Sequence, residues 1–409
     1  MSIEREDNKT KASAVKDVKL SALLEMTKAI NNNLSTSQLL DIYQEILENR
    51  LSVGKLVLFS YDTEWKCILK YGIGEDFNHI EFEDELLSIK EIETISYSNG
   101  NLGKRFEIVI PVYHKQTPLA FVLLGDIDEK KLEMSSAIKH LPFIQTLTNV
   151  MIVAVENKKL SKQAIQKAAI QKELELAKGM QNLLFPSSLP NIDELEMDVM
   201  YFPHQQVGGD YYDVIWVNDS ECVFCLADVS GKGVAAALVM SNLQAALRVL
   251  LKYTQNLAEI VIDLNQLIYD NAKTEKFITL IIAKYNIRTR KLNYINAGHN
   301  PPILYNNEDI VLLDKGCTLL GITSPLNFIE NDTLLLSKNA VLFAYTDGLT
   351  DIVNSTDESI SLDDLKTIVS NNRNASCDMI NKAMMYYADE FKGEMPFVDD
   401  IAIMACKFK

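Results

Sequence analysis

The pattern of apolar and polar positions divides the chain into three parts with different periods. Helical spacing and short strand-like runs are mixed up to about Val155, one long helical period follows to Phe185, and strand-like runs dominate after Leu189. This pattern predicts an α+β, multidomain protein. The predicted boundaries are a disordered or helical extension at 1–19, an α/β domain at 20–155, a helical linker at 156–186 and a C-terminal domain at 187–409.

The N-terminal domain has the predicted order helix, helix, hairpin, hairpin, helix. Apolar residues keep helical spacing from Leu20 to Ile30, and Ser35-Thr36-Ser37 offers an N-cap for a second helix. A helix from about Ser135 to Val155 closes the domain. The strand-like runs are 55–61 and 66–71 around a turn at 62–64, then 106–112 and 119–125. This order resembles a GAF domain, which implies either a sensor for an unknown ligand or a purely dimerising domain.

The linker has the spacing of a coiled coil. It contains no proline and one glycine, Gly179, between Val150 and Phe185. Apolar and polar seam positions step by 4-3-4-3 residues, the a/d spacing of paired helices, at Ile170, Leu174, Ala177, Gln181 and Leu184. The spacing predicts a parallel homodimer that connects the two domains. The alternative is a single helix packed on its own domain.

Composition narrows the classes of partner and compartment. The 409 residues carry 40 basic and 56 acidic side chains, and the net charge of −16 argues against nucleic acid or an anionic membrane as the main partner. The sequence has no run of about 18 apolar residues, so it predicts no membrane span. It has no apolar N-terminal segment, so it predicts no signal peptide. We therefore expect a cytoplasmic protein.

Cys222 and Cys225 form a C-x-x-C sequence, which raises the question of a zinc or redox site. They lie inside a strand-like run, where residues three apart point to opposite faces. No second C-x-x-C follows, and no histidine lies nearby. We therefore expect buried thiols in a reducing compartment.

Four acidic positions stand where an apolar strand meets a tight turn. They are Asp210, Asp228, Asp347 and the pair Asp399-Asp400. Carboxylates gathered at one end of a sheet are hard oxygen ligands suited to Mg²⁺ or Mn²⁺. The turn after Asp228, Ser230-Gly231-Lys232-Gly233, leads into a small-residue helix whose N-terminus suits an anion. Its spacing differs from that of a Walker A loop.

Motifs in a fixed order resemble one enzyme family over about 170–409. They include Gly208-Gly209-Asp210-Tyr211-Tyr212-Asp213, Asn296-Ala297-Gly298-His299, Tyr345-Thr346-Asp347-Gly348 and Val398-Asp399-Asp400. Together with the turn after Asp228, they resemble the SpoIIE-type branch of the PPM family of metal-dependent Ser/Thr phosphatases. The resemblance implies a PPM-type β-sandwich flanked by helices. It also implies hydrolysis of phosphoserine or phosphothreonine with two Mn²⁺ or Mg²⁺ ions, on a phosphorylated anti-anti-sigma regulator of the STAS type.

The resemblance implies a role for each acidic position. Asp228 would bridge the two cations, with the carbonyl of Val229 as a further ligand. Asp347 and Asp399 would hold the second cation, with Asp400 as the alternative direct ligand. Asp210 would bind a cation or orient its waters.

The remaining motif residues are candidates for contacts with those ligands or with substrate. They are Asp213, Gly231, Lys232 and His299. His299 suits a general acid by its near-neutral pKa, or it pins its turn by hydrogen bonds. Lys232 meets the phosphate, or it is an ordinary exposed lysine.

Three other functions compete with a phosphatase. A catalytically silent signalling scaffold of the same fold is opposed by the intact aspartates. A nuclease is opposed by the acidic charge of the chain. A cyclase would need a nucleotide pocket, and no motif for one is present in the sequence.

Overall fold

The computed structural model describes residues 2–61, 64–73, 86–95, 106–127, 134–272 and 275–409. They form two compact units, Met1–Ala168 and Ala169–Lys409. The predicted turn at 62–64 lies partly outside the described residues, as does much of the segment between the two predicted hairpins. No helix among the described residues is long and apolar enough to cross a membrane.

The first unit is an antiparallel sheet with helices on one face. Its elements are α1 (Ser2–Asn31), α2 (Thr36–Glu45), a π-helical turn (Ile46–Arg50), β1 (Val53–Tyr61), β2 (Trp65–Tyr71), β3 (Glu93–Thr94), β4 (Ile108–His114), β5 (Thr117–Ile127) and the start of α3 (Met134–Asn182). The strands have the order β2-β1-β5-β4-β3 across the sheet. Both predicted hairpins are confirmed, because β1 pairs with β2 and β4 with β5.

Helices α1, α2 and the first part of α3 cover one face of this sheet. Their shared core includes Met26, Leu58 and Leu147. The hydroxyl groups of Tyr43 and Thr148 hydrogen-bond inside it at 2.5 Å, so α2 and α3 are joined by a buried polar contact. Ser35, within the predicted N-cap segment, is the N-cap of α2, and it forms a complete capping box with Gln38.

Helix α3 continues without a break beyond Ala168, where the second unit begins. All the residues from 161 to 173 are exposed. The predicted linker is therefore helical, and this part of it lies in solvent. Pairing with a second copy stays a prediction.

The second unit is a sandwich of two sheets with a helical layer on each outer side. The strands are β6 (Leu195–Phe202), β7 (Tyr211–Asn218), β8 (Glu221–Val229), β9 (Ile278–Asn286), β10 (Lys291–Ala297), β11 (Ile303–Asn306), β12 (Asp309–Leu312), β13 (Gly316–Cys317), β14 (Asp332–Leu335), β15 (Ala340–Tyr345) and β16 (Ile401–Phe408). One sheet has the order β13-β10-β9-β8-β7 with β14 beside β10, and the other has β12-β11-β15-β16-β6. All of the strands except the two-residue β13 match strand-like runs of the sequence, which lie at 196–202, 212–217, 221–227, 277–285, 291–296, 302–306, 310–313, 333–336, 340–345 and 400–407.

Three apolar layers hold this unit together. Phe224, Tyr285 and Met404 belong to the layer between the sheets. A second layer packs the first sheet against two helices, and a third packs the other sheet against two more. The helices are α4 (Val234–Leu250), α5 (Leu257–Ala272), the short α6 (Asp347–Thr350), α7 (Leu362–Asn372) and α8 (Cys377–Lys392).

The C-x-x-C pair occupies two different layers. Cys222 lies between the sheets, and Cys225 lies under the helices on the other face of β8. Both thiols are buried and free, and burial raises the pKa of Cys222 to about 12 and that of Cys225 well above its usual value. The strand interpretation is confirmed, and these two thiols cannot bind one ion together.

Thiol reactivity tests this arrangement. Five of the six cysteines are buried, and only Cys67 is half-exposed. With Ellman's reagent at neutral pH, we expect at most one thiol to react quickly in the native protein and all six after unfolding, because the thiolate is the reactive form. Fast reaction of two or more thiols in the folded chain would contradict the burial of these five cysteines.

Candidate functional site

The first sheet brings two of the predicted aspartates side by side. Strands β7 and β8 are antiparallel, and Tyr211 stands opposite Ala227. Asp210, directly before β7, therefore lies next to Asp228, near the end of β8. The antiparallel ladder itself places the two carboxylates at one edge of the sheet.

The second sheet brings the other acidic positions together in the same way. Tyr345 stands opposite Ile403 in the pair of β15 with β16. Asp347 follows β15, and Asp399-Asp400 precedes β16. Gly348 lies so close to this pair that a Cβ on it would stand 1.9 Å from the carbonyl oxygen of Asp400. Only glycine fits at that position.

Two hydrogen bonds tie the acidic edges of the two sheets to each other. The hydroxyl of Thr346 donates to Oδ2 of Asp210 at 2.9 Å. The N–H of Gly209 donates to Oδ2 of Asp400 at 2.7 Å. Thr346 also accepts the N–H of Ala402 at 2.9 Å. All the predicted metal-binding aspartates therefore gather at one end of the sandwich, and Thr346 is a positioning residue that its motif contained but whose contact the sequence did not predict.

Burial and mutual repulsion raise the pKa values of this cluster. Burial, then Asp228 and Asp400, raise the pKa of Asp210 well above its usual value. Burial, then Asp347, raise the pKa of Asp228 to about 7. The pKa of Asp347 is raised by burial, then by Asp351 and Asp399. The ionised carboxylates are thus destabilised by one another, and bound cations would relieve that repulsion.

The two aspartates of the acidic pair have different partners. Asp400 accepts the N–H of His204 through Oδ1 and that of Gly209 through Oδ2, each at 2.7 Å. Burial nevertheless raises its pKa. Asp399 instead faces Lys232, whose Nζ lies 2.8 Å from Oδ2. Asp400 therefore fixes the loop before Asp210 through backbone N–H groups. Asp399 is instead paired with a flexible side chain, that of Lys232.

The donor set fits hard divalent cations. Several carboxylates and the Val229 carbonyl are the oxygen ligands that Mg²⁺ and Mn²⁺ prefer. The hydroxyl of Tyr201 is buried beside Asp400 without a hydrogen-bond partner. This region therefore contains a polar group that is still able to form a hydrogen bond. Within the described ranges, no three His, Cys, Asp or Glu side chains are arranged to share one ion as they stand. Asp210, Asp399 and Asp400 are engaged with Thr346, Lys232 and backbone N–H groups, so a cation that binds at one of these side chains must replace a partner.

Asp213 is not part of the carboxylate cluster. Both its oxygens accept from Arg248, at 2.7 and 2.9 Å, and the Tyr211 hydroxyl donates to Oδ2 at 2.5 Å. These bonds fasten β7 to α4. The motif placed Asp213 three residues after Asp210, but alternation along the strand separates its side chain from the site.

His299 has the contacts of a turn-pinning residue. It is buried, its N–H donates to Oδ1 of Asn296 at 2.7 Å, and its Nδ1 lies 2.8 Å from the Thr279 hydroxyl. Burial lowers its pKa to about 3, so the ring is neutral near pH 7. Gly231 lies in the turn before α4 with φ of 82°, a left-handed conformation that favours glycine.

Gln181 contacts the loop before Asp210, although the sequence pattern assigned it to the coiled-coil seam. The heptad pattern placed it on a coiled-coil seam, but its side chain is buried against the loop before Asp210. Its Nε2 donates to the Gly208 carbonyl at 2.8 Å, and the Gly208 N–H donates to its Oε1 at 3.2 Å. The last turn of α3 is therefore hydrogen-bonded to the loop before Asp210 at Gly208, and Asp400 is hydrogen-bonded to the same loop at Gly209. No periodicity signals such a contact, because it depends on tertiary structure.

Comparison with known proteins agrees with this architecture. Residues 218–409 match the family model of Stage II sporulation protein E (SpoIIE). Phosphoserine phosphatase RsbU of Bacillus subtilis (strain 168) is 32% identical over 163 residues, which are 39% of this chain and 48% of that protein. Phosphoserine phosphatase RsbP of the same organism is 26% identical over 162 residues, 38% of each chain. The chain thus spans about half or less of these relatives.

A solved structure shows the fold of the second unit. The SiaA-PP2C domain of Pseudomonas aeruginosa superimposes with a TM-score of 0.55 and 18% identity, over 60% of this chain and 100% of that domain. Residues 218–409 are therefore similar to the SpoIIE family model, and the second unit has the fold of the SiaA-PP2C domain.

Proposed function

We propose that the chain is a metal-dependent phosphoserine/phosphothreonine protein phosphatase. The observation that carries the proposal is the meeting of Asp210, Asp228, Asp347 and Asp399 at one end of the sandwich. Like charges gathered at this density are typical of a cation site rather than of a structural surface. The names of the matched relatives, both phosphoserine phosphatases, support the same activity.

We assign two divalent cations, Mn²⁺ or Mg²⁺, to this cluster. Asp228 would help to hold both cations, with the Val229 carbonyl and Asp210 on one side and Asp347 with Asp399 on the other. Asp400 supports the site through the backbone rather than as a direct ligand, since both its oxygens already accept N–H groups. When bound, such cations activate water and neutralise phosphoryl oxygens.

The chain itself provides a place for the phosphoryl group. Helix α4 begins at Val234, six residues after Asp228, and no side chain caps its N-terminus. Free N–H groups at a helix start bind phosphate oxygens. We place the phosphoryl group between this helix start and the carboxylates, where charge developing in the transition state would be stabilised.

The substrate and compartment extend the proposal further. A phosphorylated anti-anti-sigma protein of the STAS type in the cytoplasm is the substrate implied by resemblance to the SpoIIE branch. The phosphoserine named for RsbU and RsbP supports a phosphoserine protein in general. The acidic chain is consistent with recognition that depends on cations at the site.

The first unit and α3 are proposed to regulate this activity. A GAF-like sensor, with its ligand unknown, would change the pairing of two α3 helices in a homodimer. The exposed apolar side chain of Ile170, which lies on the predicted seam, supports a partner helix on this stretch. The contact of Gln181 with Gly208 supports transmission to the loop before Asp210.

Loss of the bridging carboxylate tests the activity. With Mn²⁺, the protein should release phosphate from para-nitrophenyl phosphate and from a phosphoserine protein. Asp228→Asn should reduce kcat/KM by at least about a hundredfold, because a charged ligand is lost from the cluster. Asp363→Asn, on the exposed side of α7, is the matched control and should retain activity. No Mn²⁺-dependent release, or equal rates in both variants, would sink the phosphatase proposal.

The dimer is tested by mass. Sedimentation of the full chain should show a dimer, and Ile170→Asp should weaken it by at least about tenfold, because the seam would bury a charge. Ala168→Asp adds the same charge at an outward position and should leave the dimer intact. A monomeric wild-type chain, or equal effects of both changes, would contradict pairing through α3.

The role of Gln181 is tested by removing its amide. Gln181→Leu leaves both polar groups of Gly208 without their partner, which should lower stability by about 1–3 kcal/mol in urea unfolding. It should also weaken Mn²⁺ binding, because the loop before Asp210 loses its hydrogen bonds to Gln181 and keeps only those to Asp400. Asn182→Leu, at the exposed neighbouring position, is the control. Unchanged Mn²⁺ affinity in Gln181→Leu would show that the contact is only structural.

A further inference from the structure

Lys232 occupies a defined position at the acidic site. Its Nζ lies 2.8 Å from Oδ2 of Asp399 and also donates to the carbonyl of Val398. The other oxygen of Asp399, Oδ1, accepts the N–H of Asp400 at 2.9 Å. Both oxygens of Asp399 are therefore engaged, and a cation that binds this side chain must replace a partner.

The partner that can leave is Lys232. The N–H groups bonded to Asp399 and Asp400 belong to the backbone, so releasing them would require loop movement. Lys232 has a long, flexible side chain and stands between Gly231 and Gly233, both of which have positive φ. Its side chain is 36% exposed and that of Asp399 31%. Ion pairs this exposed contribute little, so the ammonium group can return to water at small cost.

A divalent cation attracts a carboxylate twice as strongly as an ammonium group does at equal distance and equal dielectric. Lys232 also lowers the pKa of Asp347 through space, so its charge acts on more than one carboxylate of the cluster. One ammonium group therefore stands near the carboxylates that we assign to the second cation.

We propose that Lys232 is a tethered counter-cation that holds Asp399 in the cation-free state and is displaced from it when a divalent cation binds. This inference rests on the proposed function for the assignment of Asp399 as a ligand. Displacement makes cation binding a competition. The apparent affinity at this position is therefore lower than the carboxylates alone would give, and removal of the ammonium group should strengthen it.

Calorimetric titration of the full chain with MnCl₂ tests the displacement. Lys232→Met keeps the length of the side chain without its charge, and should tighten Mn²⁺ binding by about two- to fivefold, the range set by a half-exposed ion pair. Lys232→Arg retains the charge and should bind Mn²⁺ as the wild type does or more weakly. Unchanged or weaker binding in Lys232→Met would overturn the inference.

Lys276 supplies a matched control for the general effect of charge. Its Nζ donates to the Ser230 carbonyl of the same turn at 2.7 Å, so it lies close to Lys232 along the turn but is not paired with Asp399. Lys276→Met should leave the Mn²⁺ affinity unchanged. Equal tightening in both variants would show a long-range field in place of displacement, and would overturn the inference.

Trace acetylation of the wild-type protein provides a second measurement that needs no variant. Mass spectrometry should find Lys232 labelled faster when MgCl₂ is present, because its amine is then no longer held by Asp399 and Val398, while labelling of Lys276 stays constant. No change at Lys232 would count against displacement. Neither measurement uses phosphate release, so Mn²⁺ binding with the expected Lys232 effects but without hydrolysis would defeat the phosphatase proposal and leave this inference standing.

Discussion

The repulsion between carboxylates that meet at one end of the sandwich is the constraint on which the site depends. Each sheet contributes its acidic residues through an antiparallel strand pair, and neither sheet alone assembles the cluster. The apolar layer between the sheets provides the stability that keeps the two edges together despite that repulsion. The hydrogen bond from Thr346 to Asp210 and the one from Gly209 to Asp400 then fix their relative position.

Neighbouring acidic residues take different tasks because of their backbone surroundings. Asp400 is satisfied by two N–H groups and behaves as part of the loop framework, whereas Asp399 is held by a side chain that can move. Asp213 shows the same principle within the first motif, since Arg248 uses both its oxygens to attach α4 to the sheet. The residue type indicates a possible ligand, and the partners decide whether the side chain is available.

Local signals in the sequence predicted most of the second unit. Alternating runs placed ten of its strands, and strand-end turns identified the acidic positions, because both features depend on short-range periodicity and turn chemistry. Contacts between distant segments were not accessible in this way. The heptad spacing includes Gln181, and nothing in that spacing indicates its hydrogen bonds with Gly208. Asp213 was grouped with the site because it lies three residues from Asp210 in the sequence. The sensory role of the first unit and the pairing of α3 stay predictions.

The grip of Gln181 on Gly208 joins α3 to the acidic loop through uncharged groups. An amide and a peptide group carry no net charge, so the strength of this joint is nearly independent of ionic strength and of proton concentration. The carboxylate cluster beside it responds to both. The connection between α3 and the loop should therefore keep its strength under conditions of salt and pH that change the charge of the carboxylate cluster.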